Sequence, residues 1–375
     1  MFYLPTGRMA VRTFQSKSKI KPWNMLRSDS IASLTDPEFL SRILGPIAKV
    51  EKTMLPFVGY SGSVLERVEI ILQTGVRRNF ILKSTQIKAD WLSQRSKDQV
   101  GREAALLGES SLSGIWDHIH CPYVAFAKEN GIIGLLMDDF SNYLFPDIRE
   151  PIDSKSEDLI LNSIASLHAS FWESKELNKI DWLVNPYNYL EVFAAGEHES
   201  DQYAPPPPKI GHSIREGWNI ALRLLPAEII KIITRPAKEL FETWNDLPIT
   251  LLHGDAKIAN MVILPSGNLV MFDWTYVGRG PCGMELGWYI AVNSTRLTRS
   301  KEDIIRKYRS CLEFHLNFAI SEEIWAKIID LAIVTGSRMM LWNKALSFQE
   351  GTQRGKEEWT WWENRLKGVA FSKTK

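Results

Sequence analysis

Three cysteines in 375 residues, Cys121, Cys282 and Cys311, are too few and too widely spaced for a disulfide framework or a zinc motif. Their scarcity suits a reducing compartment, and the expected location is the cytoplasm. Long apolar runs are missing too. The longest clean one, Gly131 to Met137, falls far short of the ~20 residues that cross a bilayer. Neither sign of charge dominates: 45 Lys and Arg face 44 Asp and Glu, a formal charge of +1. No global field therefore draws the chain to nucleic acid or to an anionic membrane. Apolar residues at 45% and charged residues at 24% exclude collagen-like and wholly disordered chains. No internal repeat is visible.

Acidic residues are absent before Asp29, while the first 28 residues hold six Lys or Arg. Such a segment reads either as a targeting peptide or as a basic arm, and Pro5, Gly7 and Pro22 interrupt any clean amphipathic helix there.

What is present divides the chain. An N-terminal arm over 1–45 is expected to precede a β-rich lobe over 46–136 and a helical lobe over 137–375. Ala48 to Leu55, Ser63 to Leu72 and Phe80 to Leu82 read as strands, with a turn at Gly75. One helix, Gln99 to Gly108, is expected among them, because Glu103, Ala104, Ala105, Leu106 and Leu107 are strong helix formers. After Phe140 the apolar period lengthens to 3.6 residues: Ile160, Leu161, Ile164, Leu167, His168 and Phe171 share one face. Similar faces recur over Ile304 to Phe318 and Ile324 to Trp342. The run Pro205 to Pro208 must be extended. The expected fold is α+β, with a small β-rich lobe followed by a large helical one.

The chemistry concentrates in LLHGDAKIANMVILPSGNLVMFDW, Leu251 to Trp274. His253-Gly254-Asp255 follows an apolar approach, Asn260 precedes a strand from Met261 to Leu264, and Pro265-Ser266-Gly267-Asn268 is turn chemistry. A return strand from Leu269 to Phe272 ends at Asp273. If the hairpin pairs about its centre, position 260 faces position 273, and opposed residues lie about 5 Å apart. Asn260 and Asp273 then offer two hard oxygen donors beside Asp255, a set that suits Mg²⁺ holding phosphate oxygens. Asp-x-x-x-x-Asn, a hairpin and a second Asp is the order of phosphoryl-transfer sites with a loop base and two metal ligands.

Companions lie upstream. Lys83 ends the apolar run Phe80-Ile81-Leu82, and Glu103 follows on the expected helix. A strand lysine and a helix glutamate form the ion pair that sets a lysine on nucleotide phosphates. Gly59, Ser61, Gly62 and Ser63 lie between two strands, where small residues let backbone N–H groups approach phosphate. This loop is not a Walker A motif, having no Gly-Lys-Ser/Thr ending. Leu135 to Phe140 leaves the small lobe, and the backbone around Met137 is placed to bond an adenine edge.

These residues resemble the aminoglycoside phosphotransferase and choline kinase-like family of small-molecule kinases, from about Pro46 to Trp288. His253-Gly254-Asp255 with Asn260 matches the family's His-Gly-Asp-x-x-x-x-Asn signature, Asp273-Trp274 its metal-binding Asp, and Leu167-His168-Ala169 its Leu-His-Ala helix. The resemblance implies a protein-kinase-like bilobal fold, MgATP as donor, and Asp255 as base for a substrate hydroxyl. Gly254 in place of the arginine of protein kinases, and no Ala-Pro-Glu segment after Asp273, favour a small-molecule acceptor. Two departures stand out. Glu285, in Gly280-Pro281-Cys282-Gly283-Met284-Glu285-Leu286, occupies the place of the family's Asp, where a longer carboxylate would brace the catalytic loop. Lys257, two residues after Asp255, sits where Ser/Thr protein kinases carry a lysine that touches the transferred phosphate.

The acceptor is less legible. Residues 141–250 hold 17 Asp and Glu against 10 Lys and Arg, which suits a cationic acceptor such as an amino sugar or choline-like amine, or is a solvated surface. Trp182, Tyr187, Tyr189, Trp218, Trp244, Trp342, Trp359, Trp361 and Trp362 offer stacking surfaces or simply core. The reading is an ATP-dependent kinase acting on a small-molecule hydroxyl. The alternative is an ATP-binding pseudokinase, which typically lacks the lysine, the catalytic Asp or the metal-binding Asp, all present here.

Overall fold

A computed structural model describes residues 26–56, 62–146, 148–196 and 206–369 of the chain. Six strands form one sheet in the order β1-β5-β6-β4-β3-β2: β1 Leu26–Ser28, β2 Ile47–Met54, β3 Val64–Leu72, β4 Arg77–Gln86, β5 Tyr123–Glu129 and β6 Ile132–Asp138. β4 shows how strand alternation divides the lobe. Phe80 and Leu82 point outward into a small core, where Val68, Ile70 and Leu136 meet Leu34, Phe39 and Leu40. Ile81 points the other way, into the large core shared with the helical half. Lys83 follows the same alternation, so an apolar strand delivers its one ammonium to the inner face.

The arm expected over 1–45 ends earlier than its sequence suggests. Leu26–Ser28 pairs in parallel with β5, and the helix Pro37–Leu44, capped by Asp36, closes the outer core. Residues 26–45 thus belong to the β-rich lobe, and the basic segment before them lies outside the described residues. The expected lone helix is also corrected. Asp90 caps an additional short helix, Trp91–Arg95. The Glu103 helix begins at Arg102 instead of Gln99 because Gly101 is held at φ +71 while the Asp98 carboxylate caps the amides of Gly101 and Arg102. Pro205 lies outside the described residues; Pro207 is extended, and Pro208 opens the helix Pro208–Leu224.

The helical half is organised by Ser154–Ser170, Gly283–Val292, Lys301–Leu316, Glu322–Gln349 and Gln353–Gly368. Among the described residues no helix is long and apolar enough to cross a membrane. Gly283–Val292 packs almost backbone to backbone on the long Glu322–Gln349 helix. A Cβ on Gly283 would lie 2.3 Å from the Ile328 carbonyl oxygen, and one on Gly287 would lie 2.0 Å from that of Ala332. Gly283 and Gly287 are one turn apart and share a face. Glu285 and Trp288, spaced three apart, share another face that looks toward the catalytic loop. The short helix is thereby a plate bolted by glycines on one side and carrying functional side chains on the other.

Gly287→Ala should therefore destabilise the fold by about 1–3 kcal/mol, as overpacking does. The check is the urea midpoint, which should fall, whereas Gly131→Ala meets no atom within 4 Å and reports only its positive φ of +78.

Candidate active site

Two further two-stranded ladders carry the chemistry: β7 Thr250–Leu252 with β10 Gly278–Gly280, and β8 Met261–Ile263 with β9 Leu269–Met271. β7 runs into His253-Gly254-Asp255. Gly254 sits at φ +83, and a Cβ there would lie 2.3 Å from the Tyr276 carbonyl oxygen, so no larger residue fits. That contact explains locally why the arginine of protein kinases is missing. The loop is pinned from several sides. Glu285 Oε1 accepts the Gly254 amide at 2.7 Å, and its Oε2 accepts the His253 amide at 3.0 Å. Tyr189 donates its hydroxyl to the Gly254 carbonyl at 2.9 Å. Asn293, capping the end of the Gly283–Val292 helix, accepts the Ile258 amide at 2.8 Å and donates to the Ala256 carbonyl at 3.0 Å.

Glu285 therefore braces the loop despite being longer than the expected Asp. His168 stands behind it, with Nε2 at 2.8 Å from Glu285 Oε2 and Nδ1 at 2.6 Å from the Tyr308 hydroxyl. His168 is a buried support of the brace. Burial pushes the Glu285 carboxyl up, but the His168 bond and field, with His253 and the Gly254 amide, outweigh it and hold the group below its ordinary 4.5. Burial holds the His253 imidazole below its ordinary value, against the pull of Glu285 and Asp255. The ring is thus neutral, and its Nδ1 accepts the Asp255 amide at 3.1 Å.

The hairpin register differs from the centred one by one residue. Met261 faces Met271, Val262 faces Val270 and Ile263 faces Leu269, and the Phe272 amide bonds the Asn260 carbonyl. The cause is the turn: Gly267 donates to Leu264 at 2.8 Å and lies at φ +82, adding a bulge residue to the loop. Asp273 thus falls one position beyond the residue opposite Asn260. Its backbone is left-handed, φ +68 and ψ +54, which turns the carboxylate back into the site. Such a conformation in a non-glycine residue is maintained only by its surroundings.

Those surroundings are Lys83 and the Thr275 hydroxyl, which donates to Asp273 Oδ1 at 3.0 Å. Lys83 Nζ lies 2.7 Å from Glu103 Oε2 and 2.7 Å from Asp273 Oδ1, joining the β-rich lobe to the hairpin. Burial alone would push the ammonium down, yet Asp273 and then Glu103 outweigh it and raise it. Burial likewise works to raise Asp273, and Lys83 followed by Lys257 drives it far below its ordinary value. Tyr123 donates to Glu103 Oε1 at 2.7 Å, fixing the other end of the pair. Arg102, next to Glu103, reaches across the lobes to the Trp182 carbonyl at 2.8 Å. Lys257 Nζ lies 2.7 Å from Asp255 Oδ2 with its side chain 35% exposed, and Asn260 Nδ2 donates to the same oxygen at 3.0 Å. Burial favours the neutral amine of Lys257, but Asp255 and Asp273 outweigh it, so the group stays cationic.

Asn260 spends its amide N–H on Asp255, which leaves Oδ1 as a neutral oxygen donor. Asp273 contributes an ionised carboxylate whose side chain is 32% exposed. Among the described residues no three His, Cys, Asp or Glu gather as a metal cluster. Two protein oxygens, completed by phosphate and water, fit Mg²⁺, which keeps few protein ligands.

The nucleotide side is only partly assembled as expected. Gly59 and Ser61 lie outside the described residues. The Gly62 amide is 3.2 Å from Asp90 Oδ1, and the Ser63 hydroxyl is buried 2.7 Å from that of Thr85. Both groups are spent on the lobe itself instead of being offered to phosphate, because Asp90 must cap the Trp91–Arg95 helix and Ser63 faces Thr85 across the ladder. Met137 is buried at the inner end of β6; the Asp138 and Asp139 amides are taken by Pro122 and Asn79. Sequence reasoning missed Arg102, Asn293, Asp90 and Trp288. Only Trp288, three residues after Glu285, carried a local signal.

Residues 198–315, which include the catalytic loop, the hairpin and Glu285, match the model of the phosphotransferase enzyme family, over less than half of the chain. The resemblance carried by His253-Gly254-Asp255 and Asn260 is thus matched over the segment that holds them. No curated protein matches the sequence. Among solved structures, the chain is similar to the choline kinase LicA from Streptococcus pneumoniae, with 14% identity, 90% of this chain and 100% of that one covered, and a TM-score of 0.44. The choline kinase from Cryptosporidium parvum Iowa II is similar at 12% identity, 85% and 90% coverage and a TM-score of 0.46. A spectinomycin phosphotransferase, solved with ADP and spectinomycin, is similar at 10% identity, 88% and 92% coverage and a TM-score of 0.39.

The brace gives a pH signature. Because the Glu285 carboxyl titrates lower when folded, its ionised form adds stability above its unfolded value of 4.5, and the gain is lost as pH falls through the folded value. Glu285→Gln, which leaves at least one loop amide without an acceptor, should cost about 1–3 kcal/mol at pH 7. Urea titrations of both proteins should show that difference shrinking once the pH is brought below 4.5.

Proposed function

We propose that this protein is an ATP-dependent phosphotransferase acting on a hydroxyl of a small molecule: an amino sugar, a choline-like amine or another small metabolite. The observation that carries the reading is the convergence on one point of Lys83, Glu103 and Asp273, which are distant in sequence, beside Asp255 and Asn260. The domain division follows: the sheet lobe, with Lys83, Glu103 and the backbone at Met137, takes the nucleotide, and the helical lobe holds the catalytic loop and the acceptor.

Phosphoryl transfer demands placement and charge stabilisation more than covalent chemistry by the protein. Lys83, held by Glu103, draws in the phosphates. Asn260 Oδ1 and the Asp273 carboxylate would hold Mg²⁺, which when bound supplies charge neutralisation at the β- and γ-oxygens. Lys257, partly exposed beside Asp255, adds a positive charge where the γ-phosphate arrives. Asp255 orients the acceptor hydroxyl in line with the γ-phosphorus and accepts its proton.

A thermal-shift screen with MgATP and candidate alcohols and amines, followed by coupled ADP release on the hits, tests the whole reading. Stabilisation by MgATP with no ADP formed across a broad hydroxyl panel would leave a nucleotide-binding pseudokinase in its place. Within the reading, Asp255→Ala should lower kcat by about 100-fold or more while the MgATP thermal shift persists. Asp273→Ala should raise the Mg²⁺ concentration for half-maximal ADP release; wild-type magnesium dependence in that variant would remove its assignment as a ligand.

A further inference from the structure

The Asp255 carboxylate receives three side-chain donors from its own chain. Lys257 Nζ at 2.7 Å and Asn260 Nδ2 at 3.0 Å both fall on Oδ2, and Trp288 Nε1 falls on Oδ1 at 3.0 Å. Each carboxylate oxygen offers about two lone-pair positions, so Oδ2 is filled and Oδ1 keeps one. An indole N–H donates only, so Trp288 neither competes as a base nor takes a proton from a substrate.

A buried indole usually finds an acceptor, and a backbone carbonyl normally suffices. Three other buried tryptophans behave in that way, Trp274 donating to the Met271 carbonyl, Trp342 to that of Met339 and Trp218 to that of Phe193, whereas the buried Nε1 of Trp362 meets no acceptor among the described residues. Trp288 instead donates to the carboxylate read as the base. Its ring has little freedom to leave. It is 6% exposed and lies parallel to Phe193, with centroids 6.2 Å apart and planes 6° apart. Phe193 in turn meets Trp91 of the sheet lobe edge-on at 5.9 Å.

We propose, resting on the phosphotransferase reading above, that Trp288 is a positioning residue that selects the basic lone pair of Asp255. By occupying one position on Oδ1 while Lys257 and Asn260 fill Oδ2, it leaves a single acceptor site in a fixed direction. The acceptor hydroxyl then has one way to dock. As its oxygen bonds the γ-phosphorus and the bond from that phosphorus to the bridging β-oxygen breaks, the hydroxyl proton passes to Oδ1 and ADP leaves with the electron pair.

Two variants separate this role from packing. Trp288→Phe keeps a stacked ring and deletes the N–H, and Phe193→Leu deletes the stacked ring and leaves the N–H. Each is assayed for ADP release from MgATP with water as acceptor, alongside the MgATP thermal shift. Trp288→Phe should lose about tenfold or more in kcat, as misplacement of a reacting group does, with KM for MgATP and the thermal shift unchanged. Phe193→Leu should stay within about twofold of wild type on the same reasoning. Equal losses in both variants, or wild-type turnover by Trp288→Phe, would overturn the proposal. A readout independent of turnover is the indole N–H signal of Trp288 in ¹⁵N-labelled protein, identified by its disappearance in Trp288→Phe. Asp255→Asn should shift it more than the signals of Trp274 and Trp342, and an unmoved signal rules out the bond. A wild type that binds MgATP without releasing ADP to water or to any hydroxyl of the panel above overturns the phosphotransferase reading and this role together, whereas ADP release with an unaffected Trp288→Phe overturns this role alone.

Discussion

The ammonium of Lys83 is the constraint on which the rest of the structure turns. Removing a cation from water costs several kcal/mol unless carboxylates replace the solvent. Lys83 has two, one from its own lobe and one from the hairpin of the other, each at 2.7 Å. Neither half of the chain satisfies the charge alone, so the pair of ion pairs fixes how the sheet faces the helical half. It also sustains the left-handed backbone at Asp273, whose carboxylate is turned toward the lysine. Arg102 adds a second tie between the halves, its guanidinium joining the first turn of the Glu103 helix to the neutral Trp182 carbonyl. Glu103 is thus held by groups on three sides: Lys83, Tyr123 and its own tethered helix.

The loop that bears Asp255 is held in place for a different reason. Its amides and carbonyls are not exposed to water but are shared with side chains of the Gly283–Val292 helix and its cap: Glu285 at one end, Asn293 at the other, and Trp288 between them. A helix can hold three such groups in register only if it does not slide. The two glycines that let it lie directly against the Ile328 and Ala332 carbonyls prevent that. Small residues on one face and functional ones on the other are two halves of a single device, and the long Glu322–Gln349 helix is its foundation.

The gathering of the candidate site was largely legible because the proposed chemistry tolerates few residue types at few spacings. Lys83 at the end of an apolar strand, Glu103 on the next strong helix, and Asp255, Asn260 and Asp273 around a turn all declared themselves locally. The illegible parts depend on contacts between distant segments. The one-residue shift of the hairpin came from Gly267, whose positive φ makes a bulge that turn composition alone does not reveal. Gly62 and Ser63 looked like phosphate-binding residues until the fold placed Asp90 and Thr85 against them. Residues 26–45 read as an arm because three residues of parallel strand have no periodicity to detect. Arg102 carries no local signal either; its role exists only where Trp182 arrives.

The acidic surplus of residues 141–250 also changes meaning in three dimensions. Asp153 caps the Ser154–Ser170 helix, Glu157 and Asp158 pair with Arg299, and Asp246 pairs with Lys327. Charge spent on caps and ion pairs does not create an attractive field for a cationic acceptor. The balance that matters is nearer the loop. Lys83 and Lys257 supply two positive charges, and Glu103, Asp255 and Asp273 three negative ones, leaving one surplus negative charge. A triphosphate arriving without a cation would meet a site of its own sign. A divalent ion on Asn260 and Asp273 reverses that sign, so on the proposed reading metal and nucleotide must enter as a pair, and the dependence on magnesium is built into the count of lysines and carboxylates.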